Sequence, residues 1–127
     1  MAAKPLPTAI PPRSDVILDV EVERGALHFV LASGGEAHAH AVRVRFSRVI
    51  RDLAGLRVND NPLFSRLAFL AAGRRVRLFI DTLAGYERRR QPAQFQARLE
   101  WRDDDGQRHR RTVTHDLGAW SQWRETL

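Results

Sequence analysis

The chain has 127 residues, no cysteine and a formal net charge of +6, and its 21 basic side chains are twenty arginines and the single Lys4. That length fits one domain, whose core buries roughly two thirds of the unfolded surface without disulfides or metal. The absence of cysteine excludes a disulfide scaffold, thiolate metal sites and a cysteine nucleophile.

Residues 1–14 carry Pro5, Pro7, Pro11 and Pro12 and no hydrophobic period, and read as a flexible tail of polyproline character. The prolines interrupt the apolar region an export signal needs, so a cytoplasmic location is expected. The longest apolar run, Leu67 to Ala72, is far short of the roughly 20 residues that span a bilayer, and no membrane partner is expected.

From Asp15 the pattern alternates. Val16, Leu18, Val20 and Val22 share one face of a first strand, which Arg24-Gly25 ends. Leu27, Phe29 and Leu31 point inward from a second strand, followed by a Ser33-Gly34-Gly35-Glu36 turn. In a third strand Val42, Val44 and Phe46 lie on one face and Arg43 and Arg45 on the other. Ser47 to Pro62 has near-helical spacing in places and reads as a long connection taking the chain from one sheet to another, closed by Asn59-Asp60-Asn61-Pro62. Leu63 to Leu70 is a fourth strand. Arg74 to Asp81 is a fifth, with Val76, Leu78 and Ile80 on one face and Phe79 opposite. Residues 82–92 form a polar loop holding Tyr86 and the run Arg88, Arg89, Arg90.

The last two strands are the most informative stretch. Phe95, Ala97, Leu99 and Trp101 alternate with Gln94, Gln96, Arg98 and Glu100, and Asp105-Gly106 supplies a hairpin turn. A two-residue loop would set Leu99 opposite Thr112 and turn Val113 to the polar face. A three-residue loop, Asp104-Asp105-Gly106 with Gly106 left-handed, pairs Trp101 with His109, Leu99 with Arg111 and Ala97 with Val113. The second register is preferred because it brings Val113 and Leu117 to the face of Phe95. It leaves Arg111 opposite Leu99, where its guanidinium must reach water or the Trp101 ring.

Seven strands without a long helix predict an all-β, seven-stranded antiparallel sandwich over residues 15–117, with a small barrel as the rival and residues 118–127 as an aromatic tail. Three stretches carry a family likeness: Phe69-Leu70-Ala71-Ala72-Gly73 before a strand, Tyr86 upstream of the last pair, and Leu99 to Gly106 turning into a strand that ends His115-Asp116-Leu117. With these the chain resembles the bacterial immunoglobulin-like and fibronectin-type sandwiches. The resemblance implies an immunoglobulin-like module and brings no catalytic residues with it.

The inventory of chemistry is thin. His38 and His40 lie two apart without further ligands at metal-site spacing, and Asp103-Asp104-Asp105-Gly106 lacks the downstream glutamate of a calcium loop. No serine sits in a Gly-x-Ser-x-Gly elbow and no phosphate-binding glycine loop occurs. No catalytic, cofactor or metal residue is therefore assigned, and the expected role is a non-enzymatic module acting by protein contact, with another protein or a second copy in a homodimer as partner. The tail residues Trp120 and Trp123 are candidate contacts, or close the end of the core.

The alternative is sequence-independent nucleic-acid or polyanion binding through Arg43, Arg45, Arg75, Arg77, Arg88, Arg89, Arg90, Arg108, Arg110 and Arg111, with Phe79 or Tyr86 for stacking. Codon supply from a GC-rich genome is the competing account of so many arginines.

Overall fold

The computed structural model describes residues 14–119. Seven antiparallel strands form two sheets. Strands β1 (Val16–Glu23), β2 (Ala26–Ser33) and β5 (Arg75–Thr82) make a three-stranded sheet in the order β1-β2-β5. Strands β3 (Ala39–Phe46), β4 (Leu67–Leu70), β6 (Gln94–Arg102) and β7 (Arg108–Asp116) make a four-stranded sheet in the order β4-β3-β6-β7. The chain is thus an all-β sandwich.

The alternation expected of the strands is observed. Val16, Leu18, Val20, Leu27, Phe29 and Leu31 are buried from one sheet, and Val42, Val44, Phe95, Ala97, Leu99 and Trp101 from the other. The two layers meet in an aromatic cluster. Phe29 lies 5.5 Å from Phe95 and 5.8 Å from Phe46, and Phe46 meets Phe64 edge-on at 5.4 Å. Such contacts add to the area burial that drives the two faces together.

The β6–β7 register is the three-residue-loop one: Ala97 pairs with Val113, Leu99 with Arg111 and Trp101 with His109. Gly106 has φ +81° and donates its N–H to the Asp103 carbonyl at 3.0 Å, a conformation that needs no Cβ. Arg111 reaches neither water alone nor Trp101; it pairs with Asp15 at 2.6 Å, while His109 stacks on the indole at 5.5 Å. His115 Nε2 donates to the Leu18 carbonyl at 2.8 Å. These inward-pointing polar groups tie the β7 edge to the β1 edge and blunt both against pairing with another chain.

Four expectations are corrected. Residues 63–65 are not strand: α1 (Pro62–Ser65) forms because the Asn61 side chain accepts from the Leu63 N–H at 3.0 Å and Pro62 fits the first helical turn. Residues 83–88 are not loop: α2 (Leu83–Arg88) is capped by Thr82 Oγ1 accepting from Gly85 N–H at 3.0 Å. The 47–66 connection does not change sheets, since β3 and β4 are neighbours in one sheet. Instead it folds back on itself, and Leu53 N–H donates to the Ile80 carbonyl at 2.8 Å on the outer edge of β5. Finally, Ser14 belongs to the domain, because it is buried and its hydroxyl accepts from the Trp101 indole N–H at 2.8 Å.

Candidate functional site

The outer face of the four-stranded sheet concentrates positive charge. Its construction depends on an irregularity in β3: from His40 opposite Arg102 to Arg43 opposite Glu100 the strand advances three residues while β6 advances two. Ala41 takes up the extra residue with φ +50°. Strict alternation would turn His40 inward with Val42; the bulge sets it outward with Arg43 and Arg45.

Cross-strand pairing then generates three rows. The first runs Phe69, His40, Arg102, Arg108; the second Arg43, Glu100, Arg110; the third Arg45, Arg98, Thr112. Neighbouring strands lie about 4.8 Å apart and successive rows about 6.7 Å apart. All six arginines are exposed, and among the described residues none has a carboxylate within ion-pair distance. Two shallow depressions of about 400 and 210 Å³ flank Arg45, the first bordered by Arg43, Asn59 and Ser65, the second by Arg98, Gln96 and Thr112.

The other sheet is different. Arg75 pairs with Glu21, and Arg77 with Glu21 and Glu23 at 3.2 Å each. Val30, set between Asp19 and Arg77 on this outer face, is fully buried beneath the network. With Asp19, Glu21 and Glu23 against two arginines, this face is net negative by one. The four-stranded face, with six arginines against Glu100 and Asp116, is net positive by four.

The arginines singled out from sequence therefore do not merge. Arg43 and Arg45 lie on the basic face with Arg108 and Arg110; Arg75 and Arg77 lie on the opposite sheet, neutralised. Arg111 turns inward to Asp15. Arg89 is structural: its Nη2 and Nε meet Asp81 Oδ2 at 2.8 and 2.9 Å, and Nη2 also donates to the Arg51 carbonyl at 3.0 Å. Arg88 and Arg90 are exposed at the end of α2, off the sheet face. Trp120 and Trp123 lie outside the described residues.

The proposed stacking residues are also reassigned. Tyr86 is buried, its hydroxyl donates to the Pro92 carbonyl at 2.5 Å, and burial pushes its pKa well above the ordinary tyrosine value. Phe79 sits on the neutral face, edge-to-face with His28 at 5.6 Å. The aromatic ring on the basic face is Phe69, 48% exposed, with the His38 and His40 rings at 5.1 and 5.3 Å. His38 Nδ1 accepts from Ala72 N–H at 3.0 Å, and His40 Nε2 donates to Asp104 Oδ1 at 2.7 Å. That hydrogen bond holds the Asp104 carboxyl below the usual range, as the one from His109 does for Asp103. Among the described residues no three histidine or carboxylate groups are arranged to hold a metal ion.

Sequence reasoning passed over Arg98, Arg102 and Phe69. Arg98 stood as an ordinary polar alternate of the strand and Arg102 as part of the stretch leading into the hairpin turn, and only the β3–β6 register brings them beside Arg45 and His40.

Fold and surface together define an all-β two-sheet sandwich with one basic and one neutralised outer face. The chain belongs to the family described as a domain of unknown function, DUF8453, which matches residues 9–121. Neither the curated proteins nor the solved structures compared with it include a match.

Proposed function

We propose that the chain is a non-enzymatic binding module of the cytoplasm whose working surface is the outer face of the β4-β3-β6-β7 sheet, and that this surface holds nucleic acid by its phosphates. We further read the fold as immunoglobulin-like. The support is the strand order: immunoglobulin constant domains join the first, second, fifth and fourth strands in one sheet, and here the fourth strand has moved beside the third. In such modules function resides in surfaces grafted on the sandwich.

The observation that carries the nucleic-acid reading is the charge asymmetry between the two outer faces. Arginine guanidinium groups at regular spacing, with no carboxylate partners among the described residues, suit phosphate oxygens through paired N–H donors. The test is fluorescence anisotropy with a labelled oligonucleotide over a salt series. Affinity should fall steeply with salt, by about 0.7 log units per log unit of salt for each phosphate neutralised on a single strand. The triple variant Arg43→Gln, Arg98→Gln, Arg110→Gln should lose most binding, and Arg75→Gln with Arg77→Gln should retain it. Absence of binding by the parent chain at low salt refutes the reading.

A second reading, protein contact including homodimer formation, is favoured by the loop that packs on the β5 edge. Leu53 and Leu56 are 63% and 66% exposed there, although the loop is held: Asp52 Oδ1 accepts from the N–H groups of Ala54 and Leu56 at 2.9 Å each. Sedimentation of the Leu53→Ser, Leu56→Ser variant tests it; a mass distribution identical to the parent's removes this loop as a self-association surface.

A further inference from the structure

We propose that the basic face is built for single-stranded nucleic acid, with one unpaired base seated on the Phe69 ring and the backbone crossing the arginine rows. The inference rests on the nucleic-acid reading above and adds which form of the polymer is taken and where a base sits.

Three observations converge on it. First, Phe69 is nearly half exposed. Its strand partner His40 and the preceding His38 flank the ring at 5.3 and 5.1 Å, and each imidazole is tethered by a bond to Asp104 or Ala72. The result is a held aromatic platform whose open side has no function in the core. Every base offers a π-face to such a ring, so stacking there is tolerant of sequence.

Second, the platform and the cations form one continuous surface. Phe69 heads the row that contains Arg102 and Arg108, and Arg43 with Arg110, then Arg45 with Arg98, follow in successive rows. Three rows cover about 13 Å along the strands. A strand whose base rests on Phe69 would run its next few phosphates past the remaining arginines, giving a short site of about four nucleotides.

Third, the described residues hold no α-helix long enough to read a groove of duplex DNA. The α-helices are four and six residues long, and α1 meets the basic face only at its border, where Ser65 lies beside Arg43 and Arg45; the cationic side chains of the face all stand on strands. Duplex would meet it through phosphates, without the gain from stacking a base on Phe69.

The experiment compares a labelled oligothymidylate with a duplex of the same length, using the full chain at low salt. The single strand should bind more tightly. Phe69→Ala should weaken single-strand binding roughly 5- to 140-fold, the effect of losing one base–aromatic stack, while leaving duplex binding and the salt dependence unchanged. Phe69→Trp should restore single-strand affinity. A thermal melt checks that the alanine variant remains folded, and Phe69→Leu, which keeps apolar bulk without a π-face, serves as the test variant if it does not, with the same loss of single-strand affinity expected and unchanged affinity counting against the inference. Equal affinities of parent and Phe69→Ala for the single strand, with Arg98→Gln still weakening it, would overturn this inference and leave the nucleic-acid reading standing. Failure of the parent to bind either polymer overturns both. Equal binding of heparin, insensitive to Phe69, identifies a general polyanion surface and also overturns the inference.

Discussion

Arg89 offers the sharpest test of how this fold uses its arginines, because it is the member of the Arg88–Arg90 run that is not surface charge. Its partner Asp81 is 2% exposed, and the Asp81 carboxylate accepts from the Thr82 N–H at 2.6 Å as well as from two guanidinium nitrogens. Replacing Arg89 with methionine keeps the aliphatic stem and strands that buried charge. Breaking a buried pair in this way costs about 3–5 kcal/mol, and the 29% exposure of the Arg89 side chain argues for the lower end, about 3 kcal/mol. The total stability of a chain of this size is on the order of 10 kcal/mol, so the effect is large. Asp81→Asn should cost less, about 1–2 kcal/mol, since the amide oxygen still serves the Thr82 N–H and Arg89 can turn to water. Urea unfolding at neutral pH measures both, with Arg88→Met as the control for an exposed arginine, expected within about 0.5 kcal/mol of the parent. In the double variant the penalties should fall short of their sum, because each single change already breaks the same pair. Equal urea midpoints for Arg89→Met and Arg88→Met would refute the structural role.

Three further outcomes follow from the local chemistry. The carboxyls of Asp103 and Asp104 are held low by His109 and His40, so the folded state favours their ionised forms; the stability they add is present above the ordinary aspartate pKa near 3.9 and is lost as pH falls through the depressed folded values. Urea midpoints between about pH 5 and pH 2 should therefore flatten in the Asp103→Asn, Asp104→Asn variant. The β1–β2 turn has φ +51° at Arg24 and +79° at Gly25, the geometry for which asparagine-glycine is preferred, so Arg24→Asn should stabilise by about 0.5–1 kcal/mol in thermal unfolding. Trp101→Phe removes the donor to Ser14 and part of the ring on which His109 stacks, and should cost about 1–2 kcal/mol by urea unfolding.

Much of the architecture is legible in the residues, and the reason differs from place to place. The β6–β7 pairing follows from an inflexible rule: a one-residue slip would turn Val113 from the core, and Gly106 can occupy the left-handed position of the longer loop. The strand faces follow from simple alternation. The short helices escape periodicity because four or six residues span too little of the helical period, and only the caps Asn61 and Thr82 betray them. The bulge at Ala41 has no glycine to announce it, so the outward turn of His40 carries no local signal. Hardest to read are the arginines. Whether one is neutralised is not settled by its immediate neighbour: Arg75 and Arg77 stand opposite Ala32 and Val30 and pair across β2 with Glu21 and Glu23, so the β2–β5 and β1–β2 registers that bring these groups together are encoded nowhere near those arginines.

This separation bears on the simplest account of the composition, that codon supply filled surface positions with arginine. A compositional bias acts on both outer faces alike, and the two sheets of one chain are controls for each other. On the three-stranded sheet Arg75 and Arg77 reach across β2 to pair with Glu21 and Glu23 of β1; on the four-stranded sheet six stand in rows with Glu100 between Arg43 and Arg110, and among the described residues no ion pair reaches any of them. Like charges opposite one another, as in Arg45 beside Arg98 and Arg102 beside Arg108, oppose sheet pairing. Codon supply would account for arginine in place of lysine; it would not account for the unfavourable pairs gathering on one face. A polyanion laid across that face would relieve the repulsion, so its binding should raise the melting temperature of the parent and leave that of the Arg43→Gln, Arg98→Gln, Arg110→Gln variant unchanged. An equal rise in both would place the bound polymer elsewhere.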